Sequence, residues 1–384
     1  MLRHKEIVAE ALEEIIALAK GEGRKPVRIA LMARGNEVGV QELLMGARRA
    51  MREDRALKVV MVGPRVSGFD DLEWIETEDC EEAVSSAIEK GLSDPAGFDG
   101  AVALHYPFPL GVATVGMVVT PGRGRPMLIS STTGTASADR VEAMVINGVL
   151  GRAVARCLGI EDPTLGVLNV EGAASAVRAL GRLKDAGYPL RFGSSLRSDG
   201  GALLRGNDIL AGAVDVCVCD SLTGNVLNKM FSAFTTGGAY EAVGWGYGPS
   251  VGIGWGRVIS IISRASGEPV VAGAIAYTAK MVRGCLPKVV EQEVAWAKGA
   301  GLEDVLTSLK GTATVQPDVQ CPPKEPTDEE ISGVDVLEVE VATRVLWREG
   351  IYAESAMGCT GPVIKLASRN HARAVELLRS AGYI

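Results

Sequence analysis

Residues 214–229 read VDVCVCDSLTGNVLNK, and this stretch indicates how the chain folds. Its valine-rich first part, Val214–Cys219, predicts a strand. The polar segment Asp220–Asn225 follows as a turn, and Val226–Phe234 has the apolar spacing of a helix. A strand, a polar turn and a helix in succession form the repeating unit of a sheet covered by helices.

The same alternation of short apolar strands and amphipathic helices extends over most of the chain. It predicts a three-layer α/β/α fold with a mostly parallel sheet, in which ligands bind beyond the carboxyl ends of the strands. Strands are also predicted at Val27–Ala33, Leu57–Val62, Gly100–Leu104, Met127–Ser130, Leu165–Val170, Leu190–Ser194 and Arg257–Ser263. Further helices are predicted at Leu2–Lys20, Glu37–Met51, Asp79–Lys90, Ala138–Leu158 and Ala173–Ala186.

The composition changes late in the chain and suggests two parts. Thr314–Thr327 holds four prolines, which predicts an extended linker. We divide the chain into an α/β domain at 1–284 and an α-rich C-terminal segment at 285–384. Helices in this part are predicted at Val270–Lys298 (bent at Pro287), Val334–Arg348 and Val363–Ser380.

The composition excludes several classes of function. The net charge of −7 and an aromatic content of 5% disfavour a nucleic-acid surface, which needs clustered cations and stacking rings. No apolar run reaches membrane-spanning length, and no signal peptide is visible at the N-terminus. The seven cysteines are scattered and odd in number, which is typical of reduced thiols in a cytoplasmic protein.

Cys359 lies between glycines in Gly358-Cys359-Thr360-Gly361-Pro362, which the pattern places in a turn just before the last predicted helix. Unpaired amide groups and the positive end of a helix dipole would stabilise a thiolate there. Such a thiolate can carry a covalent intermediate. An inert buried cysteine in a tight turn gives the same local pattern, so both interpretations stay open.

The turn at Asp220–Asn225 offers a cradle for an anion, formed by amides at a helix N-terminus with Lys229 nearby. An ordinary turn, in which Asp220 and Thr223 only cap the helix, explains the same residues. His105 follows a strand end and is either a base near the ligand or a structural histidine.

The glycine-rich stretch 237–256 matches neither nucleotide-binding fingerprint, which argues against a dehydrogenase. It predicts either a flexible loop over a site or irregular packing at a sheet edge.

Several segments together resemble the phosphate acyltransferases of bacterial phospholipid synthesis, which act on acyl carrier protein. They are VRIALMARGNE at 27–37, GVLNVEG at 166–172, VDVCVCDSLTGNVLNK at 214–229 and YGPSVGIGWGRVISIISRASG at 247–267.

Over nearly the whole length, the chain also resembles the alpha subunits of component C of glycine/sarcosine/betaine reductase complexes. Those subunits are similar to the acyltransferases and add a C-terminal Gly-Cys-Thr-Gly-Pro turn, here Gly358–Pro362. The resemblance implies the isocitrate/isopropylmalate dehydrogenase-like α/β fold without dehydrogenase chemistry.

The resemblance also implies a reaction. The selenoprotein component A carries a carboxymethyl group, component C converts it to an acetyl thioester on a cysteine matched by Cys359, and inorganic phosphate releases acetyl phosphate. Implied partners are component A and the component C beta subunit, in a homo- or hetero-oligomer. Phosphate is the implied co-substrate, with no tightly bound cofactor and no metal. The implied phosphate site comprises Asp220, Thr223, Gly224, Asn225, Lys229, Arg264 and Ser266.

Two alternatives remain at this point. A stand-alone phosphate acyltransferase, acting on acyl-carrier-protein or coenzyme A thioesters, would need neither partners nor Cys359. A non-catalytic scaffold subunit would form no acetyl adduct. A single-site mechanism requires Cys359 to approach the 220–229 turn or the 264–266 turn, in its own chain or a partner's.

Overall fold

The computed structural model describes residues 25–198, 200–310, 319–335, 338–358 and 361–384. The predicted helix at Leu2–Lys20, the first part of the predicted linker, and Cys359 fall outside these residues. The core of the region after 319 shares no residue with the cores before 310. We therefore refer to residues 25–310 as the large domain and to residues 319–384 as the small domain.

The large domain is built on one 12-stranded sheet. Its strands are β1 (Val27–Met32), β2 (Leu57–Gly63), β3 (Glu73–Glu76), β4 (Gly100–Ala103), β5 (Val112–Val119), β6 (Pro126–Thr135), β7 (Thr164–Leu168), β8 (Arg191–Phe192), β9 (Leu203–Leu204), β10 (Val216–Val218), β11 (Gly248–Gly252) and β12 (Ile259–Ile261). They lie in the order β3-β2-β1-β4-β12-β11-β5-β6-β10-β7-β8, with β9 beside β7.

This sheet consists of two parallel blocks that run in opposite directions. The first block contains β3, β2, β1, β4 and β12, and the second contains β6, β10, β7, β8 and β9. Between them, β11 and β5 pair antiparallel with each other and with their outer neighbours. The predicted mostly parallel sheet is confirmed, and the reversal at its centre adds a feature that the alternating pattern did not indicate.

Helices lie on both sides of the sheet, as the three-layer prediction requires. They are α1 (Val40–Glu53), α2 (Glu81–Ser93), α3 (Arg140–Cys157), α4 (Ala173–Asp185), α5 (Gly206–Ala211), α6 (Ser221–Ala233), α7 (Glu268–Arg283), α8 (Leu286–Gly299) and α9 (Leu302–Lys310).

Some element boundaries differ from the sequence predictions. The strand predicted at Met127–Ser130 is longer in the structure, since β6 continues to Thr135. The expected helix Val270–Lys298 is two helices, because the chain turns at Cys285 with φ 52°. Pro287 lies in the first turn of α8, where a missing N–H costs nothing.

Helices α8 and α9 belong to the core of the large domain rather than to a separate C-terminal segment. Glu293 of α8 is fully buried and pairs with Arg152 and Arg156 of α3, and it accepts a hydrogen bond from Tyr188 at 2.8 Å. The change of core therefore falls between the described residues 310 and 319, and the division at 284/285 stays a prediction.

The small domain contains a three-stranded antiparallel sheet in the order β13-β15-β14. Its elements are β13 (Glu329–Ser332), α10 (Val339–Arg348), β14 (Ala353–Gly358), β15 (Gly361–Leu366) and α11 (His371–Ser380). Among the residues described in both domains, no helix has the length and apolar character needed to cross a membrane.

The predicted helix Val363–Ser380 is wrong in its first part, because residues 361–366 form β15 and the helix begins at His371. Both edges of β15 are hydrogen-bonded, and Ile364 and Leu366 are fully buried. A short apolar run fits either type of element by pattern alone, so the neighbouring strands decided its conformation.

Candidate functional site

Asp220 and Thr223 are hydrogen-bonded to each other at the start of α6. The Asp220 carboxylate accepts hydrogen bonds from the Thr223 amide at 3.0 Å and from the Thr223 hydroxyl at 2.6 Å. This is an N-cap, which satisfies one of the free amides of a helix start. The helix therefore begins at Ser221 rather than at Val226, and both side chains are occupied within the chain.

Gly224 permits close contact between α6 and the sheet. A Cβ atom at this position would lie 1.8 Å from the carbonyl oxygen of Ser131 in β6. Only glycine fits this approach without moving the helix. Close packing between α6 and β6 therefore accounts for the glycine at this position, which was predicted to be part of an anion cradle.

Asn225 lines a polar cleft of about 250 Å³. Its side-chain amide donates to the Thr132 carbonyl at 3.1 Å, which fixes its orientation towards β6. The other lining residues are Leu104, His105, Tyr106, Phe108, Thr133, Tyr247, Ile261, Ile262 and Ser263. They come from the ends of β4 and β12, from the start of β11 and from β6.

The cleft lies where the two parallel blocks of the sheet meet. The β5–β6 pairing shifts register between Ala113 and Val115, which places Thr132 within reach of the neighbouring strands. Its hydroxyl donates to the Tyr247 carbonyl at 2.5 Å. Irregularities of this kind re-aim side chains next to binding sites, so the antiparallel junction shapes the cleft.

Glu241 is a buried carboxylate beside this cleft, and sequence reasoning did not identify it. Lys229 Nζ lies 3.8 Å from its Oε1 atom, and the Ser266 hydroxyl donates to its Oε2 atom at 3.3 Å. Burial raises the pKa of Glu241, while Ser263 and the positive charge of Lys229 oppose this effect. Glu241 is the one charged residue within the glycine-rich stretch 237–256, and that isolation was the available signal.

The glycine-rich stretch itself is not a loop over the site, because it contains β11 in the middle of the sheet. Gly248 has φ 81°, and a Cβ there would lie 1.9 Å from the Val115 carbonyl oxygen. Close backbone packing therefore accounts for this glycine.

The turn after β12 holds the other two predicted residues, Arg264 and Ser266. Arg264 is exposed, and its guanidinium has no ion pair among the described residues. The turn is fixed by the loop after β1, because Glu37 N–H donates to the Arg264 carbonyl at 2.7 Å and Asn36 donates to the Ser266 carbonyl at 2.8 Å. The structure thus brings Lys229 and Ser266 together at Glu241 and places Asn225 in the adjoining cleft.

His105 stands at the mouth of the cleft. Its Nε2 atom lies 3.3 Å from the carboxylate of Glu81, and the side chain is 54% exposed. An exposed imidazole beside a carboxylate remains a candidate for proton transfer with a ligand in the cleft.

Cys359 lies outside the described residues, between two strands that are paired up to Gly358 and Gly361. Because a strand follows it, the predicted activation by a helix N-terminus is wrong. Two other thiols are poor nucleophiles, because burial raises the pKa of Cys217 to about 12 and that of Cys157 to about 11. No group of metal-binding side chains occurs among the described residues.

Comparison with known proteins defines the class first. A family model described as "Fatty acid synthesis protein" matches residues 27–365, so the chain belongs to this family. Within it, the chain is 46% identical over 384 residues to the glycine/sarcosine/betaine reductase complex component C subunit alpha of Peptoclostridium acidaminophilum, covering 99% of each chain. The resemblance derived from the motifs is thereby confirmed.

Two more distant similarities are found. The chain is 26% identical over 245 residues to the phosphate acyltransferase of Rhizobium etli, covering 53% of this chain and 68% of the relative. A branched-chain phosphotransacylase from Enterococcus faecalis V583 aligns with a TM-score of 0.47 at 16% identity, over 66% of this chain and 99% of that chain.

Proposed function

We propose that this chain is the acetyl-transferring alpha subunit of component C in a glycine/sarcosine/betaine reductase complex. The proposed step begins with an acetyl thioester on Cys359, whose acetyl group derives from the carboxymethyl group carried by component A. Phosphate attacks the carbonyl carbon, the carbon–sulfur bond breaks with its electron pair on sulfur, and acetyl phosphate leaves. The proton lost by hydrogen phosphate balances the thiolate that is released.

The observation that carries this proposal is the polar cleft beside Asn225. Its amide lines a space large enough for phosphate. Positive charge lies on the same elements, since the half-exposed Lys229 is on the helix of Asn225, and Arg264, which has no ion pair among the described residues, follows the lining residue Ser263. Such groups stabilise the anionic oxygens of phosphate and of an acyl-transfer transition state. Asp220, Thr223 and Gly224 contribute by building the helix that holds Asn225 in place.

An apolar stripe that runs along α6 to Phe234, the residue after its end, supports the part of the proposal that involves partners, namely the component C beta subunit and the selenoprotein component A. Leu222, Val226, Met230 and Phe234 follow at four-residue spacing and are between 47% and 76% exposed. Exposed apolar surfaces of this kind mark protein contacts, and this one shares its helix with Asn225. The free cysteines fit a reducing compartment, so we propose a cytoplasmic location.

The proposal is tested with the full chain by exchange of labelled inorganic phosphate into acetyl phosphate, and by mass spectrometry of the Cys359 peptide. Asn225→Ala and Lys229→Ala should each slow exchange about 10-fold to 100-fold, because each removes a donor to an anion. Acetylation of Cys359 by the assembled complex should continue in both variants. Lys280→Ala, which removes an exposed lysine on α7, serves as the control.

Cys359→Ala should abolish both exchange and labelling while the fold persists. Exchange that continues in this variant would favour a stand-alone acyltransferase. Wild-type protein that shows neither exchange nor an adduct would favour the non-catalytic scaffold.

A further inference from the structure

The cleft beside Asn225 is bounded in part by an aromatic pair. Tyr106 and Phe108 belong to the segment that follows β4, they are half-buried, and both line the cleft. Further apolar lining comes from the ends of β4 and β12, at Leu104, Ile261 and Ile262. This apolar lining is unsuited to an anion, because a charged oxygen would lose its hydration there and gain no hydrogen bond.

The backbone of this segment fixes the two rings next to each other. Its sequence is His105-Tyr106-Pro107-Phe108-Pro109, and each proline locks its own backbone angle φ. Phe108 N–H donates to the Tyr106 carbonyl at 3.0 Å, which closes a tight turn around Pro107. The two ring centroids are 4.9 Å apart, so the side chains pack against each other. We refer to these two rings as the aromatic wall.

Tyr106 is attached to the scaffold through its hydroxyl. This hydroxyl donates to Glu89 of α2, and the same carboxylate pairs with Arg257, which precedes β12. Arg257 Nη1 also lies 3.5 Å from the Tyr106 hydroxyl. Hydrogen bonds to charged groups are stronger than those between neutral groups, so Tyr106 has a fixed position between a helix and the sheet.

Phe108 is attached to the centre of the sheet through a second ring. It packs edge-on against Trp255, with 6.1 Å between the ring centroids. The indole N–H of Trp255 donates to the hydroxyl of Ser250 in β11 at 2.8 Å, and Ser250 is buried. The aromatic wall is therefore positioned by the fold rather than by a ligand.

An acyl phosphate has two chemically different ends, and the cleft offers a different surface to each. Its phosphate end is anionic and suits the Asn225 amide and the positive charges on neighbouring elements. Its acyl end is apolar and suits the aromatic wall. A wall that cannot move away accepts a short acyl group and clashes with a longer one, since inserting methylenes against well-packed groups is unfavourable.

We propose that Tyr106 and Phe108 form the acyl end of the cleft and limit its substrates to short acyl groups, with acetyl preferred over butyryl. This inference rests on the proposed function, in which an acyl group is transferred between a thiol and phosphate. Phe108 is the residue that sets the length limit, and Glu89 is a positioning residue that acts through Tyr106.

The test compares acetyl phosphate with butyryl phosphate in the exchange of labelled inorganic phosphate by the full chain. Wild-type protein should prefer acetyl phosphate at least about tenfold in kcat/KM, because a single methylene at an apolar pocket is worth about that much. Phe108→Ala opens the wall, so this preference should fall by about tenfold or more. Leu110→Ala removes an exposed side chain of the same segment that does not line the cleft, and it should leave the preference unchanged.

Two further measurements keep the test decisive. Phe108→Leu retains an apolar side chain of smaller size, so its preference should lie between those of wild type and Phe108→Ala, and it decides the outcome if the alanine variant does not fold. Calorimetric titration with acetylphosphonate and butyrylphosphonate, whose carbon–phosphorus bond is not transferred, measures the length limit without catalysis.

Equal use of acetyl and butyryl phosphate by the wild type would overturn the inference and keep the proposed function. An unchanged preference in the folded Phe108 variants would do the same. Absence of exchange, together with a length-dependent affinity for the phosphonates that Phe108→Ala abolishes, would remove the proposed function and keep the length limit. Absence of both exchange and phosphonate binding would overturn both.

Discussion

The two halves of the proposed site are supported by sheets and cores of very different size in the large and small domains. In the large domain, Asn225 and Glu241 are attached to a 12-stranded sheet and backed by buried side chains. In the small domain, the strands on either side of Cys359 belong to a three-stranded sheet with a much smaller core. The phosphate-binding half of the proposed site is therefore more rigidly built than the half that carries the thiol.

The contact between the two domains is largely polar where it is best defined. Arg178 of α4 pairs with Glu338 and donates to the Tyr383 carbonyl at 2.9 Å, and Ser175 donates to Glu338 at 3.3 Å. Polar contacts between domains permit relative motion more readily than a large apolar interface. Under the proposed function, this would allow Cys359 to meet both a partner and the cleft. Three substitutions test this difference between the two domains.

The largest effect is expected from Glu293→Ala in the large domain. This change leaves Arg152 buried without its partner, so the large domain should lose about 3–5 kcal/mol of unfolding free energy. Urea denaturation measures the loss, and hydrogen exchange of β14 and β15 should show that the small domain is unaffected. Glu291→Ala, an exposed neighbour on α8, should change stability by less than about 0.5 kcal/mol. Equal losses in both domains would show that they form one cooperative unit.

A smaller effect is expected from Arg178→Ala at the contact between the domains. It should weaken that contact by about 1 kcal/mol, because a half-buried ion pair and a hydrogen bond to a carbonyl are lost. Hydrogen exchange at the start of α10 should rise while both cores stay protected. Arg182→Ala is the matched control, since this residue bonds Ser308 within the large domain. Unchanged exchange at α10 would mean that other contacts fix the small domain.

The smallest effect is expected from the pH dependence of Glu241→Gln. Because burial raises the pKa of Glu241, its stabilising contribution is complete below its unfolded pKa and is lost as the pH rises through the folded value. The glutamine variant should therefore gain stability relative to wild type over the pH range that starts at the ordinary pKa of a glutamate and extends through neutrality. Thermal unfolding across this range measures the trend. A difference that shrinks with rising pH would show that the carboxylate is stabilised by its partners when ionised.

The helices and strands of the large domain were largely predictable because each carries its own local pattern. Val27–Met32 and Leu57–Gly63 are apolar runs between polar turns, and α4 has clear helical spacing. Gly361–Leu366 was not predictable in this way, since its short apolar run fits a helix or a strand equally well. Its conformation depended on two partner strands that lie elsewhere in the sequence.

The residues of the candidate site were likewise predictable only in part. Asn225 and Lys229 were identified from a motif that is continuous in sequence. Glu241 was missed because its neighbours at the site, Lys229 and Ser266, lie on other elements and meet it only after folding.

By itself, the sequence determined the α/β class of this chain, its family, and the set of candidate residues around 214–229 and Cys359. These features depend on local periodicity and on continuous motifs, which can be recognised without knowledge of contacts between distant segments. Only the tertiary structure decided the reversal of the sheet, the division after residue 310, and the placement of Glu241 beside Lys229 and Ser266. Each of these depends on pairing and burial between distant segments, because a carboxylate becomes a buried group only when other elements close over it.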